Sequence, residues 1–371
     1  MEDSKTKTGT AYSRAKVFCH PEKLKSLLEG KITAPIHVRL KPTNKCNHDC
    51  FSCSYSFEWS KFHPTMSRKD EIPKEKMDEI LSDFSEMGVK AITYSGGGEP
   101  LIYPHIIPTL EQTINYGIDF AMNTNGQKLS GEKAELLSHA SWVRVSANAI
   151  DAKTFSHFRK RPEKWFDELT SNIKNFARIK LPSCNLGINF VVHKENVSQI
   201  YESVKFFKEL GVDNIKLSPV WSPDFFKYHE KIIQPAKEQI EKARKDFEDG
   251  SFRVYDTYKE DFSLTGSQER TYEVCYNMQI MPTIGADCGV YACFSKAYDS
   301  KGLIGSIKDQ SFKKLWFSKE TADFFKNFNP KISCKGHQCP LDEKNLLLID
   351  FVKNKGTVNS PPQNLRDINF A

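Results

Sequence analysis

The sequence predicts an α/β chain, a partial (β/α)6 TIM-like barrel carrying a small C-terminal domain of different texture. Three observations predict it. Six short β-rich runs alternate with helical patterns up to Pro219. The cysteines fall into an early and a late group, and the late group lies in a glycine-rich stretch with little regular pattern. The chain, at 371 residues with 39% hydrophobic and 12% aromatic side chains, is long enough to bury the core such an arrangement needs.

Ile36–Leu40, Val89–Tyr94, Ile118–Met122, Trp142–Ser146, Leu186–Val192 and Asn214–Leu217 read as strands, being short, β-branched or aromatic, and largely apolar. Between them, Met77, Ile80, Leu81, Phe84 and Met87 follow helical spacing and stop at Gly88. Val197, Ile200, Val204 and Phe207 do the same before Gly211, and Phe166–Ile179 carries an apolar face on Phe166, Leu169, Ile173 and Phe176. Repeated strand–helix alternation implies a parallel sheet with helices outside, with chemistry on the loops after the strands' C-terminal ends. From Asp224 to Asp261 the chain is highly charged, with a helix over Ile232–Glu248, and reads as a surface connector. The expected organisation is an N-terminal extension over 1–35, the barrel over 36–262, the cysteine-rich domain over 263–345 and a tail over 346–371. That tail is polar and extended beyond Asn354.

A net charge of +6 with both signs interspersed is too mild and mixed for nucleic-acid binding, and it is compatible with an anionic small substrate. The longest apolar runs, Ile188–Val192 and Leu346–Ile349, are too short to span a bilayer. Met1–Thr10 has no signal-peptide core, so a reducing cytoplasm is the expected location. Ten cysteines in that compartment point to metal or redox roles before disulfides. Three stand at 46, 50 and 53 and five at 275, 288, 293, 334 and 339, while Cys19 and Cys184 stand alone.

Cys46, Cys50 and Cys53 follow the first strand on a loop. Three thiolates at this spacing can take three corners of an iron–sulfur cubane and leave one iron open. The competing reading is a structural zinc with His48 as fourth ligand. Ser95-Gly96-Gly97-Gly98-Glu99-Pro100 follows the second strand, and its glycines allow close backbone approach beside a carboxylate that can accept from an ammonium group. Asn123-Thr124-Asn125-Gly126 ends the third strand, Ser146 and Asn148 the fourth, and Leu217-Ser218-Pro219 the sixth; Asn189 lies on the fifth. Arg144 alternates with Val143 and Val145, so it points into the lumen or forms a surface salt bridge.

The cysteine spacing resembles the CxxxCxxC signature of the radical S-adenosylmethionine (SAM) superfamily. The aromatic residue usual just before the third cysteine is displaced here, with Ser52 at that place and Phe51 one earlier. Gly97, Gly98 and Glu99 are similar to the family's GGE motif, and the Asn123–Gly126 segment to its TNG segment. The resemblance covers Ile36–Pro219 and implies a 4Fe–4S cluster on Cys46, Cys50 and Cys53. It also implies a SAM site on Gly97, Gly98, Glu99, Asn123, Asn125, Ser146, Asn148, Asn189 and Ser218. The chemistry implied is one-electron cleavage of SAM to methionine and a 5′-deoxyadenosyl radical that abstracts hydrogen, fed by a flavodoxin or ferredoxin.

In the late group, Cys275 and Cys293 flank two β-rich stretches, Met278–Pro282 and Gly285–Tyr291, that read as a hairpin, and Cys334 and Cys339 form a close pair further on. Four thiolates suit a further cluster or a zinc ion equally. The arrangement resembles the auxiliary-cluster extensions of radical SAM enzymes, the SPASM and shorter twitch domains. Five cysteines are too few for the two clusters of a full SPASM domain. One auxiliary 4Fe–4S cluster on Cys275, Cys293, Cys334 and Cys339 is therefore expected, with His337 or Cys288 as substitutes for the fourth ligand. The Cys275–Cys293 spacing is similar to that of 2-deoxy-scyllo-inosamine dehydrogenase-like twitch enzymes. That likeness implies oxidation or epimerisation of a carbohydrate, aminocyclitol or nucleotide-sugar. Peptide or protein modification is the second enzyme reading, and a zinc-stabilised binding protein the reading from another class.

Overall fold

The computed structural model describes residues 12–55, 63–222, 225–258, 269–336, 339–357 and 365–371. Its centre is one sheet of ten strands among the described residues, in the order β10-β9-β8-β1-β2-β3-β4-β5-β6-β7. The six expected strands are β1 (His37–Leu40), β2 (Ala91–Tyr94), β3 (Asp119–Thr124), β4 (Trp142–Ser146), β5 (Asn185–Val192) and β6 (Asn214–Pro219), all parallel to their neighbours. Helices α1 (Pro21–Leu28), α2 (Lys74–Met87), α3 (Ile106–Asn115), α4 (Glu132–Leu137), α5 (Ala152–Arg159), α6 (Lys164–Ile179) and α7 (Ile200–Glu209) precede or follow them.

Side-chain alternation divides each strand. On β4, Val143 and Val145 are fully buried in the main core while Trp142, Arg144 and Ser146 are half-buried toward the lumen. Helix α6 covers the outer face with Phe166, Leu169, Ile173 and Phe176, each worth about 1.5–3 kcal/mol of burial. Helix α2 stops where Gly88 turns left-handed at φ 77° and its N–H caps the carbonyls of Phe84 and Ser85.

Several expectations are corrected. A seventh parallel strand, β7 (Arg253–Asp256), pairs with β6 inside the supposed connector. The charged segment is thus a further barrel unit: α8 (Phe225–His229) is followed by α9 (Ile233–Phe247), which buries Ala236, Ile240 and Ala243 and leads into β7. The late hairpin is shorter than expected, because Asn277–Ile280 forms a helical turn, α10, leaving β8 (Thr283–Ile284) and β9 (Gly289–Tyr291) as its arms. Asn277 Nδ2 donating to the Leu341 carbonyl at 3.0 Å holds that turn. β8 pairs parallel with β1, and β10 (Leu303–Ser306) pairs antiparallel with β9, so the C-terminal region extends the barrel's own sheet.

Beyond β10 come α11 (Phe312–Trp316), α12 (Lys319–Asn327), α13 (Pro330–Ser333) and α14 (Asp342–Lys353). Helix α14 runs through the expected 345/346 boundary, and its Leu348 and Phe351 pack with Val17, Leu24 and Leu27 of the N-terminal extension. The boundary at 262/263 lies outside the described residues, as does His337. The last residues are not free. Phe370 packs edge-on against His37 with ring centres 5.3 Å apart and tilts against Trp142 at 5.5 Å, flooring the end of the barrel where the strands begin.

Candidate active site at the strand ends

Cys46, Cys50 and Cys53 line one cavity of about 280 Å³ at the C-terminal ends of the strands. Gly97, Gly98 and Glu99 from the loop after β2, Asn123 and Asn125 from the end of β3, and Ser146 from β4 share it. This is the position the barrel rule assigns to chemistry.

The glycines are required by a close approach between loops. A Cβ on Gly98 would lie 1.8 Å from the Lys45 carbonyl oxygen, and one on Gly97 would lie 1.9 Å from Asn44 Oδ1. The two loops are strapped together by Gly98 N donating to the Thr43 carbonyl at 3.1 Å and Glu99 N to that of Lys45 at 2.9 Å. Glu99 is buried, and its carboxylate ties the β2 loop to the β3 loop. Oε1 accepts from Thr124 Oγ1 at 2.6 Å and Leu101 N at 3.0 Å, and Oε2 from Asn125 N at 2.6 Å. Burial pushes its pKa up, against these three bonds. A carboxylate has about four lone-pair sites, so one remains for a ligand.

Arg159, at the end of α5, is a site residue the sequence did not mark. Its Nη1 donates to Cys50 Sγ at 3.2 Å, its Nη2 to the Ser146 carbonyl at 2.5 Å, and its own carbonyl accepts from Asp49 N. Lys160 at φ 50° ends the helix there. Asn125 Nδ2 donates to Asn47 Oδ1 at 2.7 Å and fixes the cysteine loop from the other side. Phe51 stacks on Phe158 at 5.2 Å and packs against His193, so the displaced aromatic still covers this end of the loop. His48 packs on Phe155 and Trp165, and burial pulls its pKa down to about 3, which keeps the imidazole neutral.

Asn148, Asn189 and Ser218 do not line this cavity. Asn148 Oδ1 accepts from Val191 N at 3.1 Å and holds the loop after β4. Ser218 Oγ donates to Asn189 Oδ1 at 3.3 Å within the lumen. Arg144 faces the lumen, with Nη2 donating to the Tyr12 hydroxyl at 2.5 Å.

The second cysteine group converges as well. Burial, together with Cys339, Cys293 and Cys334 nearby, pushes the Cys275 thiol well above its ordinary range. Cys288 sits apart, at φ 60° in the β8–β9 turn, with Asp287 as its leading charged neighbour. Four thiols that act on one another's charge resist ionising together unless a cationic core takes up that charge, and the chemistry of this donor set fits an iron–sulfur group. Three thiols sharing a cavity with polar loops fit a cluster with an open iron at the first site.

A family model described as the radical SAM superfamily matches residues 40–207, and one described as an iron–sulfur cluster-binding domain, SPASM, matches 275–340. The chain is 28% identical over 223 residues to a probable GTP 3′,8-cyclase of Sulfurisphaera tokodaii, covering 56% of this chain and 63% of that relative. It is 23% identical over 316 residues to the GTP 3′,8-cyclase of Staphylococcus epidermidis, covering 79% and 91%. Streptococcus suis SuiB bound to S-adenosylmethionine shares the fold, with a TM-score of 0.62 at 16% identity over 95% of this chain and 80% of that one. SuiB is also seen bound to precursor peptide SuiA.

The chain thus carries a radical SAM domain over residues 40–207, which implies a 4Fe–4S cluster and SAM as cofactors. Its C-terminal region carries a SPASM domain over residues 275–340, which implies further iron–sulfur ligation.

Proposed function

We propose that this enzyme reductively cleaves SAM and abstracts hydrogen from a small molecule, oxidising or epimerising a carbohydrate, aminocyclitol or nucleotide-sugar. The observation that carries the reading is the single cavity where three thiols, a glycine loop and the polar ends of β3 and β4 meet. Cys46, Cys50 and Cys53 would hold the SAM-binding cluster, and Cys275, Cys293, Cys334 and Cys339 one auxiliary cluster. The chemistry that the first cluster would supply when bound is one-electron reduction of the SAM sulfonium, with methionine and a hydrogen-abstracting 5′-deoxyadenosyl radical as the products.

The chain's own residues do the positioning. Gly97 and Gly98 let their loop lie against the cysteine loop, and Glu99 locks that loop to β3 while keeping one acceptor site for the SAM ammonium. Arg159 holds a positive charge on Cys50. Asn189 and Ser218 present paired polar groups to the lumen, and the Phe370–Trp142 floor limits water entry from below. The electron donor would be a flavodoxin or ferredoxin.

Anaerobic reconstitution with iron and sulfide tests the reading. A brown protein that releases 5′-deoxyadenosine under dithionite supports it, and a colourless protein with stoichiometric zinc overturns it. Cys50→Ala abolishes SAM cleavage, whereas Cys334→Ala retains some uncoupled cleavage. Deuterium transfer into 5′-deoxyadenosine from labelled sugars supports the small-molecule reading; transfer only from peptides makes the enzyme a peptide-modifying one.

A further inference from the structure

Below the cavity, the lumen gathers cations from strands far apart in the sheet. Arg39 on β1, Arg144 on β4 and Lys216 on β6 occupy inward positions, because Val38, Leu40, Val143, Val145, Ile215 and Leu217 beside them are buried in the core. Lys41 follows Arg39 at the next inward position. The Tyr12 ring brings two of these charges together, with the Arg144 guanidinium 4.9 Å and the Lys216 ammonium 5.3 Å from its centre. Arg144 is also near enough to Arg39 for the two charges to repel.

Among the described residues no carboxylate lies at ion-pair distance from Arg39, Lys41 or Arg144. Asp367 acts on Arg144, and Asp287 on Lys41, only at longer range. The Asp287 carboxylate is already taken by the Tyr291 hydroxyl at 2.6 Å and Gly289 N at 3.0 Å. The Nε atoms of Arg39 and Arg144 are both buried without a hydrogen-bond partner. Like charges with orphaned donors are unfavourable by themselves and become favourable around a bound anion.

We infer that the lumen binds an oxyanion, a phosphate or carboxylate group of the substrate, between Arg39 and Arg144. The planar guanidinium fork suits either group, and anchoring the charged end there directs the rest of the substrate up toward the cysteine cavity. The Arg39 guanidinium also stacks on the ring of Phe294, next to Cys293, at 4.1 Å, so a change at Arg39 touches the second cysteine site too. Arg144 is therefore the discriminating position. The inference rests on the lumen being the substrate site of the proposed enzyme.

The test is calorimetric titration of the reconstituted full chain at low salt, with inorganic pyrophosphate in one arm and succinate in the other. Saturable binding of pyrophosphate identifies a phosphate site and binding of succinate a carboxylate site. Arg144→Gln and Arg39→Gln each weaken the bound anion by about thirty-fold or more. Arg144→Lys, which keeps the charge and loses the planar fork, weakens binding by less than Arg144→Gln does, and Lys174→Gln, on the exposed face of α6, leaves binding unchanged. Arg144→Gln also loses the bond to the Tyr12 hydroxyl, so unfolding is compared with and without anion: the anion raises the wild-type unfolding temperature and not that of the variant, whereas a purely structural Arg144 would leave the rise unchanged. Should Arg144→Gln not fold, Arg144→Lys and Arg39→Gln carry the comparison. Absence of binding in both arms, or equal binding by wild type and Arg144→Gln, overturns the site. A wild type that releases 5′-deoxyadenosine yet binds neither anion overturns this inference alone, whereas anion binding without SAM cleavage overturns the proposed function instead.

Discussion

Gly98→Ala probes the contact on which the candidate site is built. The added methyl would stand 1.8 Å from the Lys45 carbonyl oxygen and 2.6 Å from the Asn44 carbonyl carbon, where ordinary contact begins near 3.4 Å. Both obstacles are backbone, so no rotamer change relieves them and the two loops must part by about 1.5 Å. Two bonds across the gap, Gly98 N to Thr43 at 3.1 Å and Glu99 N to Lys45 at 2.9 Å, are lost or stretched, at a cost of about 1–3 kcal/mol. Cys46 follows Lys45 directly, so a displacement of this size lowers turnover on the order of 100-fold. The assay is anaerobic release of 5′-deoxyadenosine, with iron content measured on the same sample. Gly250→Ala, where a Cβ meets open space, is the matched control and stays at wild-type rate. A Gly98→Ala enzyme with full iron and wild-type cleavage would refute the reasoning, because the loops would then have no need of their close approach.

Glu99→Gln turns an NH2 toward one of the three donors that the carboxylate now accepts, and should cost about 1–3 kcal/mol in urea unfolding; an unchanged midpoint would mean the three bonds are not made in solution. Phe84→Ala empties a fully buried site on α2 whose ring stands edge-on to Phe312 at 5.2 Å, and should destabilise by about 3–5 kcal/mol in the same assay. Lys23 is buried, and that burial pulls its ammonium down to about 7. The unfolded chain keeps this proton up to about 10.4, so the unfolded state binds more protons in between and stability rises with pH from about 7 to 10. The limiting slope is about 1.4 kcal/mol per pH unit. Three hydrogen bonds, to the Thr33 carbonyl and hydroxyl and the Ala34 carbonyl, favour the charged form and make it shallower. Lys23→Met removes that contribution, so the difference between wild-type and variant unfolding midpoints should change steadily between pH 7 and 10, and a constant difference would count against the shift.

The six strands that sequence made visible are those whose residues are apolar on consecutive or alternating positions, such as Leu186–Val192. β7 escaped because Arg253, Tyr255 and Asp256 surround one buried residue, Val254, and only pairing with β6 reveals it. The cysteine, glycine and asparagine motifs were legible because their chemistry is local and each falls on a strand end. Arg159 was not, since its bond to Cys50 spans 109 positions and nothing in its own neighbourhood marks it. Asn148 carried a plausible polar signal, yet its side chain is used to hold backbone. The floor formed by Phe370 was equally hidden, because a polar tail gives no sign of where it docks.

The pairing of β8 with β1 sets a timetable for synthesis. Leu40 finds its partner only at Ile284, about 240 residues later, which at ribosomal speed is an interval of roughly 12–50 s. Throughout that time one flank of β1 is an open strand edge, the kind of surface on which chains join one another. A nascent or truncated chain ending before Thr283 would therefore be prone to aggregate even with every barrel helix in place.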